Sequence, residues 1–440
     1  MYSEELEALF KNKKLKVGDL LHIKNNNNEL NGILMPRPDT GDDSIIIIKL
    51  DNGYNIGIKY SKDIEVNKKE SKTQENFTFP KATSKNNKDL EKITLLYTGG
   101  TIGSKVDYVT GGVYMLTKPE ELLYEVPELS DIANINVEQL MSVASEDMSY
   151  KEWQLMAKHV ADALNEGAKG VVITHGTDTM HYTSAALSFM LQNLNSPVVL
   201  TGAQRSSDRG SSDAFMNLIC SARIASKTNI NKVGICMHSN SSDKYCDFIL
   251  GSKARKMHTS SRDAFKSINT GILARAYYEG NVEEYYKNEF KAHKEKVVAK
   301  TGYESKIAMV ISYPNSDPGV IEYYSKKNYK GLILQGTGLG HAPVSTSHNE
   351  YNWTKAIKDG VSSGMIIGMT SQCINGRVNG NVYRNGRLIQ EAGAIYCEDM
   401  LAETAYVKLG FLLGNYSKKD AEKLLAKNLV GEITERTTIS

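Results

Sequence analysis

The chain has 440 residues, of which 40% are hydrophobic and 24% are charged, and its formal net charge is +2. A chain of this length exceeds a single hydrophobic core, so two or three domains are expected. The 35 glycines and 9 prolines exclude collagen-like and low-complexity disordered chains, and the small net charge excludes a strong global attraction to nucleic acid.

The cysteines and the N-terminal segment both bear on the cellular compartment. The five cysteines are scattered and none forms a CxxC pair, which favours reduced thiols and a cytoplasmic protein. Residues 1–14 show a short amphipathic helix pattern without an apolar core run, so they do not resemble a signal peptide. No stretch approaches the about 18 apolar residues of a transmembrane helix, so a soluble protein is expected.

Residues 1–65 are predicted to form a small SH3-like β-barrel domain. Short β-rich runs such as DSIIIIKL and YNIGIKY alternate with turn-rich segments such as NNNN and DNG. The following residues, 66–92, are rich in Lys and Asn and lack an apolar pattern, which is typical of a charged linker.

From Ile93 onwards, strand patterns alternate with helix patterns. The buried-strand runs ITLLY, VVIT, VVLT and KVGICM are separated by helical segments such as SYKEWQLMAKHVADALNEG. This alternation indicates right-handed βαβ units and a parallel sheet covered on both faces. After a polar connecting segment, the alternation of strand and helix patterns begins again. The sequence therefore predicts an α/β fold with a large domain over 93–295 and a small domain over 305–440 that ends in a helical tail.

Polar residues follow two of these strands at their carboxyl ends, where open parallel sheets bind ligands. The first strand ends in TGGTIG, in which Gly100 lets the backbone approach a ligand and Thr101 adds a hydroxyl. Another strand ends in HGTDTM, which contains Gly176, Thr177 and Asp178. The residues alone leave structural alternatives open: a glycine turn for the first motif and a helix-capping turn for the second.

A threonine that acts as a nucleophile needs a base or a cationic partner, because its uncharged hydroxyl reacts slowly. Asp178, directly after Thr177, is placed to orient such a partner. Lys256 is the candidate base, since a lysine held near other cations or out of water can accept a proton. The alternative for Lys256 is a solvated surface charge in a loop.

Ser145 and Glu146 follow another strand-like run and precede a predicted helix. The carboxylates of Glu146 and of Asp147, the next residue, are suited to holding a substrate ammonium group, and helix capping is the alternative. The nine histidines show no HExxH, HxxEH or paired Cys/His spacing, so no metal site is expected. His175 and His181 flank the second threonine motif, and a structural role stays open for both.

These motifs resemble the bacterial-type L-asparaginase/glutaminase family in type and order. TGGTIG, HGTDTM, TGAQR and the K-x-x-T-x-x-x-x-A-F pattern of 256–265 all match, and the two threonine motifs together are highly specific. The resemblance spans about 93–415 and includes the GTGLGHAP and AGAIYCEDM segments. It implies an asparaginase-like, Rossmann-like body of two parallel-sheet domains.

The resemblance also implies the catalytic residues. Thr101 and Thr177 correspond to the two catalytic threonines, and Asp178 with Lys256 corresponds to the pair that belongs to the second threonine. The sequence does not decide which threonine attacks first. Thr101 is the favoured nucleophile, because it lies on the side of the mobile loop.

The substrate-binding residues follow in the same way. Ser145 matches the serine that binds the substrate carboxylate, and Glu146 stands where secreted asparaginases have glutamine. Backbone N–H groups at the glycine turns, which contain Gly100 and Gly176, are expected to hold the oxyanion. The flap tyrosine corresponds to Tyr108 or to Tyr114, both in the loop after Thr101.

The N-terminal barrel and the charged linker narrow the resemblance to the ammonia-supplying subunits of archaeal tRNA-dependent amidotransferases. Such a subunit hydrolyses the side-chain amide of glutamine, through a threonine-bound acyl-enzyme, and passes ammonia to an E subunit (GatE-like) that holds Glu-tRNA(Gln). The resemblance implies a homodimer core within an α2β2 heterotetramer. It implies no cofactor in this chain, with ATP and Mg used by the partner.

Two other functions stay open at this point. The chain is a free-standing L-asparaginase if the N-terminal module is unrelated to amidotransferases. It is a catalytically inactive scaffold if it only binds an RNA-associated partner, although the complete set of Thr101, Thr177, Asp178 and Lys256 speaks against that alternative.

Overall fold

The secondary structure falls into an N-terminal β domain followed by two α/β domains. The computed structural model describes residues 2–25, 28–35, 42–50, 55–61, 63–69, 89–106, 113–115, 126–206, 211–286, 295–344 and 349–436. Within these residues no helix is both long enough and apolar enough to cross a bilayer.

The N-terminal domain is an antiparallel sheet in the strand order β4-β3-β2-β1-β5. Its elements are helix α1 (Glu4–Asn12) and strands β1 (Leu20–Asn25), β2 (Asn28–Leu34), β3 (Ile45–Lys49), β4 (Asn55–Lys59) and β5 (Glu65–Lys68). Buried Leu6 and Phe10 of the helix pack in one cluster with Ile46 and Ile48 of the sheet. The predicted small N-terminal β domain is confirmed.

Strand β5 lies almost entirely in the segment that the sequence assigns to the linker. It pairs with β1, with Ile23 opposite Val66. Val66 is buried, and its neighbours in the strand are exposed and polar. One apolar residue in four gives too weak an alternation to be read as a strand. Residues 70–88 of the predicted linker lie outside the described residues.

The large domain is built on an eight-stranded sheet in the order β18-β17-β14-β13-β12-β10-β6-β9. The sheet strands are β6 (Lys92–Tyr97), β9 (Asn134–Gln139), β10 (Gly170–Thr174), β12 (Val198–Thr201), β13 (Val233–His238), β14 (Tyr245–Leu250), β17 (Ala274–Tyr277) and β18 (Val282–Glu284). Three two-stranded pairs lie outside this sheet: β7 (Ser104–Val106) with β8 (Val113–Met115), β11 (Leu191–Gln192) with β19 (Val298–Ala299), and β15 (Ala254–Lys256) with β16 (Phe265–Ser267).

The sheet is mixed, whereas the alternation of strands and helices predicts a parallel one. Strands β13, β12, β10, β6 and β9 are parallel, and β14, β17 and β18 continue the sheet in antiparallel fashion. The connection from β13 to β14 contains only residues 239–244. So short a connection contains no crossover helix, and it can only join antiparallel strands.

Both faces of the large sheet are covered, as predicted. The helices are α2 (Tyr150–Asn165), α3 (Met180–Met190) and α4 (Ala214–Lys227), and short 3₁₀ turns occupy Thr101–Gly103, Pro127–Asp131, Ser145–Asp147 and Gly251–Lys253. Val171 and Ile173 pack into the core on one side of β10, and Val172 packs into the core on the other side. This alternation follows from the period of two in a strand.

The small domain is a four-stranded parallel sheet in the order β20-β21-β22-β23. Its elements are β20 (Ile307–Ile311), α5 (Gly319–Lys326), β21 (Gly331–Gly336), the 3₁₀ turn Asn349–Tyr351, α6 (Trp353–Ser362), β22 (Ile366–Ser371), α7 (Arg384–Glu391), β23 (Ile395–Tyr396), α8 (Ala402–Asn415) and α9 (Lys418–Leu425). The predicted second α/β domain is confirmed.

The two α/β domains meet through helices α3 and α8. The rings of Phe189 and Phe411 are stacked with centroids 5.9 Å apart, and Tyr182 meets Tyr406 edge to face. Almost every residue of α3 is buried, because the sheet, α2 and α8 surround it. A helix that is apolar on all sides requires this kind of burial.

Candidate active site

The carboxyl ends of four neighbouring strands lie in register at one edge of the large sheet. Thr174, at the end of β10, pairs with Tyr97 of β6 and with Thr201 of β12, and Tyr97 pairs with Gln139 of β9. The TGGT, HGTD and TGAQ turns therefore leave the sheet side by side. This edge is where open parallel sheets bind their ligands.

Gly100 and Gly176 bring the two threonine motifs into direct contact. A Cβ atom on Gly100 would lie 2.5 Å from the Gly176 backbone nitrogen, and the φ of Gly100 is +88°. No other residue type fits this position without strain. Thr101 and Thr177 directly follow these two glycines, so the backbone contact places the two threonines on neighbouring turns. Thr101 is half-buried in its 3₁₀ turn.

Ser145 joins the same cluster through Gly176. A Cβ atom on Gly176 would lie 2.7 Å from the Ser145 Cβ and 2.9 Å from its Oγ. The Thr179 hydroxyl donates a hydrogen bond to the Ser145 carbonyl oxygen over 2.6 Å. Ser145 is buried, and the 3₁₀ turn from Ser145 to Asp147 fixes its backbone.

The helix-capping alternatives do not account for these polar motifs. Helix α2 is capped by Ser149, which forms a capping box with Glu152, so Ser145 and Glu146 do not perform this role. Helix α3 has Thr179 at its N-cap, but no side chain makes a capping hydrogen bond there. The hydroxyls and carboxylates of both motifs are therefore available for other contacts.

Lys256 reaches the second threonine motif. Its Nζ lies 2.8 Å from the Thr177 Oγ1 and 2.7 Å from the Asp178 Oδ1. The Lys256 side chain is 9% exposed and the Asp178 side chain is 67% exposed. The surface-charge alternative is therefore wrong for Lys256, whose amine is held between a threonine hydroxyl and a carboxylate.

A β-hairpin positions Lys256, where the sequence suggests a loop. Strand β15 pairs with β16, and Lys256 lies opposite Phe265. Phe265 and Ala264 are buried in the core, which holds the hairpin against the large domain. Ala254 and Phe265 are the main apolar signals of these three-residue strands, too few for a period-two pattern.

His175 has a structural role in the second threonine motif, two residues before Thr177. Its Nδ1 lies 2.7 Å from the Gly176 carbonyl oxygen, which can only accept, so Nδ1 carries the proton. Its Nε2 then accepts from the Thr183 hydroxyl, which in turn accepts a hydrogen bond from Trp153 Nε1. Burial lowers the pKa of His175 to about 4, so the ring is neutral at physiological pH.

His181 is a second neutral histidine near Lys256. Burial lowers its pKa to about 3, and the nearby charges of Arg255 and Lys256 act in the same direction. A ring that stays neutral throughout the physiological range does not act as a proton shuttle there.

The two acidic residues after Ser145 lie on the surface. Glu146 and Asp147 are exposed, and the Glu146 carboxylate is 3.4 Å from the Ser145 Oγ. Tyr108 lies outside the described residues. No group of three or more His, Cys, Asp or Glu side chains within the described ranges is arranged to bind a metal ion.

The small domain contributes contacts that the sequence does not predict. Glu403 forms an ion pair with Arg255, the residue before Lys256. The Thr404 hydroxyl donates to the Ser252 carbonyl oxygen over 3.0 Å. Thr404 is 152 residues away from Ser252, and no local pattern marks Glu403 or Thr404 as a neighbour of the site.

The site has the parts that acyl transfer requires. Thr177 supplies a hydroxyl, Lys256 an amine at hydrogen-bond distance from it, and Asp178 a carboxylate that orients the amine. A hydroxyl, an amine that can accept its proton and a carboxylate that orients the amine form the general pattern of an activated hydroxyl. Glycine turns at the strand ends place backbone N–H groups beside it.

Family models cover most of the chain. Residues 92–290 match the model described as "Asparaginase, N-terminal", and residues 306–425 match "Glutaminase/Asparaginase C-terminal domain". The structure is similar to the L-asparaginase of Thermococcus kodakarensis, with 28% identity, a TM-score of 0.69, and coverage of 78% of this chain and 99% of the other. For L-asparaginase I of Vibrio cholerae the identity is 30%, the TM-score 0.67, and the coverage 78% and 99%. The fold and the site thus define an enzyme of the asparaginase/glutaminase class.

The N-terminal domain and the full-length relatives narrow the class to one family. Residues 15–68 match the "GatD N-terminal domain" model. The D subunit of the glutamyl-tRNA(Gln) amidotransferase from Pyrococcus furiosus is 46% identical over 98% of each chain. The D subunit from Methanococcus maripaludis (strain C7) is 41% identical over 96% of this chain and 99% of its own. The chain belongs to this GatD family, the D subunits of glutamyl-tRNA(Gln) amidotransferase.

Proposed function

We propose that this chain is the glutaminase subunit of a cytoplasmic, tRNA-dependent amidotransferase. One observation carries the proposal: the Lys256 Nζ lies between the Thr177 hydroxyl and the Asp178 carboxylate, at 2.8 Å and 2.7 Å. This arrangement supplies what a hydrolase needs to attack a side-chain amide, which an inactive scaffold does not need.

The proposed reaction is a two-step acyl transfer. A threonine oxygen attacks the side-chain amide carbon of glutamine while Lys256 accepts the hydroxyl proton. The carbon–nitrogen bond breaks, the proton passes to the leaving nitrogen, and ammonia departs. Water then hydrolyses the glutamyl-threonine ester, which releases glutamate and regenerates the threonine hydroxyl of the enzyme. Asp178 holds the lysine amine in place throughout.

The neighbouring groups bind the substrate in this proposal. The Ser145 hydroxyl binds the α-carboxylate of glutamine and Glu146 binds its ammonium group. Backbone N–H groups at the turns that contain Gly100 and Gly176 stabilise the oxyanion, and one such donor is worth about 3 kcal/mol. The flap tyrosine of this proposal is Tyr108 or Tyr114.

The partner of the chain receives the ammonia. We propose an E subunit (GatE-like) that holds Glu-tRNA(Gln) and converts it to Gln-tRNA(Gln) with ATP and Mg. Two copies of this chain would form the core of an α2β2 heterotetramer. The family membership over nearly the full length supports this assignment, because the relatives are named as subunits of that amidotransferase.

Ammonia release by the full chain tests the proposal, with and without the E subunit and Glu-tRNA(Gln). We expect glutamine hydrolysis that rises when both are added. Rapid asparagine hydrolysis with no response to the partner would instead make the chain a free-standing L-asparaginase, the class to which its structural relatives belong. No hydrolysis of either amide under any condition would leave only a scaffold role.

A further inference from the structure

A buried ion pair joins the two α/β domains next to the Lys256 hairpin. The Lys253 Nζ lies 2.7 Å from the Asp399 Oδ2 and 3.1 Å from the Asp399 carbonyl oxygen, and neither side chain is exposed. Removing two charges from water offsets most of their attraction, so such a pair adds little net stability. Displacing either side chain would leave a buried charge without its partner, which is strongly destabilising.

The chain after α9 supplies further contacts of Asp399. The Thr434 backbone N–H donates to the Asp399 Oδ1 over 2.9 Å, and the Thr434 hydroxyl donates to Oδ2. Arg377 donates to the Thr434 carbonyl oxygen over 2.7 Å. Asp399 therefore binds a lysine of the large domain and a threonine of the C-terminal segment at the same time.

A second buried ion pair anchors this C-terminal segment, residues 427–436. The Lys408 Nζ lies 2.6 Å from the Glu432 Oε1, and both side chains are fully buried. The Glu432 carboxylate also accepts the backbone N–H groups of Leu429 and Val430. The segment is thus fixed in place, although it lies beyond residues 306–425, which match the C-terminal asparaginase domain model.

The contact continues from Lys253 to Lys256 through the hairpin of β15 and β16. The Lys253 carbonyl oxygen accepts from the Ile268 N–H over 2.9 Å, which begins the ladder of β15 and β16. Ala254 pairs with Ser267 and Lys256 with Phe265 in that ladder. Displacing Lys253 therefore displaces the strand that carries Lys256.

We propose that Thr434 is a positioning residue of the active site, acting through Asp399 and Lys253 to hold the hairpin that presents Lys256 to Thr177. The proposal rests on the proposed amidohydrolase function for its kinetic consequence. Its structural part, that the C-terminal segment fixes the hairpin, is independent of the reaction that the chain catalyses.

The test compares three variants of the full chain in the presence of its partner subunit. Thr434→Val removes the hydroxyl contact with Asp399 and keeps the backbone N–H, and Thr434→Ser keeps both. Thr228→Val is the matched control, because the Thr228 hydroxyl donates to the Ile224 carbonyl at the end of α4, away from the hairpin. It reports the effect of losing one buried hydroxyl contact elsewhere in the fold.

Hydrogen exchange of the amides in residues 254–267 is the first measurement. We expect about 10-fold faster exchange in Thr434→Val, and exchange within about twofold of the unmodified chain in Thr434→Ser and Thr228→Val. Unchanged exchange in Thr434→Val overturns the proposal. Equally faster exchange in Thr228→Val also overturns the proposal, because the faster exchange then reflects a general loss of stability of the fold.

Steady-state kinetics of ammonia release are the second measurement. We expect Thr434→Val to lower kcat about 10-fold with KM within about twofold, since a small misplacement of a base affects the reaction more than binding. Thr434→Ser should restore kcat, and a normal kcat in Thr434→Val overturns the positioning role. If the unmodified chain releases no ammonia, the proposed function fails, while the exchange data still decide whether Thr434 fixes the hairpin.

Discussion

Lys256 and Thr177 are 79 residues apart in the chain, yet the lysine Nζ lies 2.8 Å from the threonine Oγ1. The threonine follows the end of β10, and the lysine ends strand β15 of a hairpin that packs on the large domain. Asp178 completes the group by accepting from the same amine. The candidate active site therefore depends on a contact between the β15–β16 hairpin, which carries Lys256, and the turn after β10, which carries Thr177.

Lys256→Ala should abolish ammonia release while leaving assembly with the partner intact. Loss of a general base typically costs 10²- to 10⁴-fold in rate, and we expect about 10³-fold in kcat. The control is Lys326→Ala, which removes an exposed lysine of α5 that pairs with Glu322. Retained activity in Lys256→Ala, measured by ammonia release, would contradict the role of Lys256.

The threonine that attacks first can be identified from the position of a covalent label. A diazoketone analogue of glutamine should label Thr101, which the sequence favours as the first nucleophile, and peptide mass spectrometry locates the label. Thr177→Val should abolish ammonia release, because it removes the hydroxyl that Lys256 contacts. A label on Thr177 in the unmodified chain would reassign the attack to that residue.

Gly100→Ala should damage both stability and activity, and Gly167→Ala provides a matched comparison. The φ values are +88° and +94°, so both alanines are strained by about 1 to 2 kcal/mol. Only at Gly100 would the new Cβ meet backbone atoms, at 2.5 Å from the Gly176 nitrogen, whereas nothing lies within 4 Å at Gly167.

This collision at Gly100 should add about 1 to 3 kcal/mol to the loss in the free energy of unfolding. It should also separate the two threonine motifs, so that kcat falls in Gly100→Ala and stays unchanged in Gly167→Ala. Denaturant unfolding and ammonia release measure the two effects. Equal unfolding energies for the two variants would show that the close contact of Gly100 with Gly176 is unimportant.

His175 should make the folded state less stable as the pH falls. Its pKa is lowered from 6.5 to about 4 by burial, so the folded state binds its proton less readily than the unfolded state. The contribution of His175 to the free energy of unfolding is fully present above pH 6.5 and is lost as the pH falls through about 4. By the relation of 1.36 kcal/mol per pKa unit, it is worth up to about 3 kcal/mol.

Denaturant unfolding between pH 7.5 and pH 4 tests this expectation. A His175→Gln variant, which keeps a polar side chain of related size, should be less stable at pH 7.5 and should lose less stability over the range. Parallel curves for the unmodified chain and His175→Gln would contradict the assignment of the pH dependence to His175.

Much of the site could be predicted because its signals are local. A buried strand that runs into HGTDTM, and another that runs into TGGTIG, mark ligand-binding strand ends within ten residues each. Thr101, Thr177 and Asp178 are predicted as site residues from these motifs, whereas Lys256 is predicted from the family resemblance. The parallel pairing of β6, β10 and β12 places the motifs side by side. The two-domain α/β body and the small β domain also follow from periodicity and from family resemblance.

The sequence alone could not distinguish the buried lysines from the exposed ones. Lys253 and Lys256 lie in GSKARKMH, a stretch typical of a solvated surface, yet Lys253 is fully buried. Its partner Asp399 is 146 residues away, and Thr434 is a further 35. Local composition and periodicity hold no information about such distant partners.

Short-range patterns were enough to predict the main strands and helices, the residue types at the strand ends and the family of the chain. Only the fold shows that the large sheet is mixed, that a hairpin carries Lys256, and that Asp399 binds both Lys253 and Thr434. The physical reason is that burial and charge pairing depend on which surfaces meet in the fold, and those surfaces come from segments far apart in the chain.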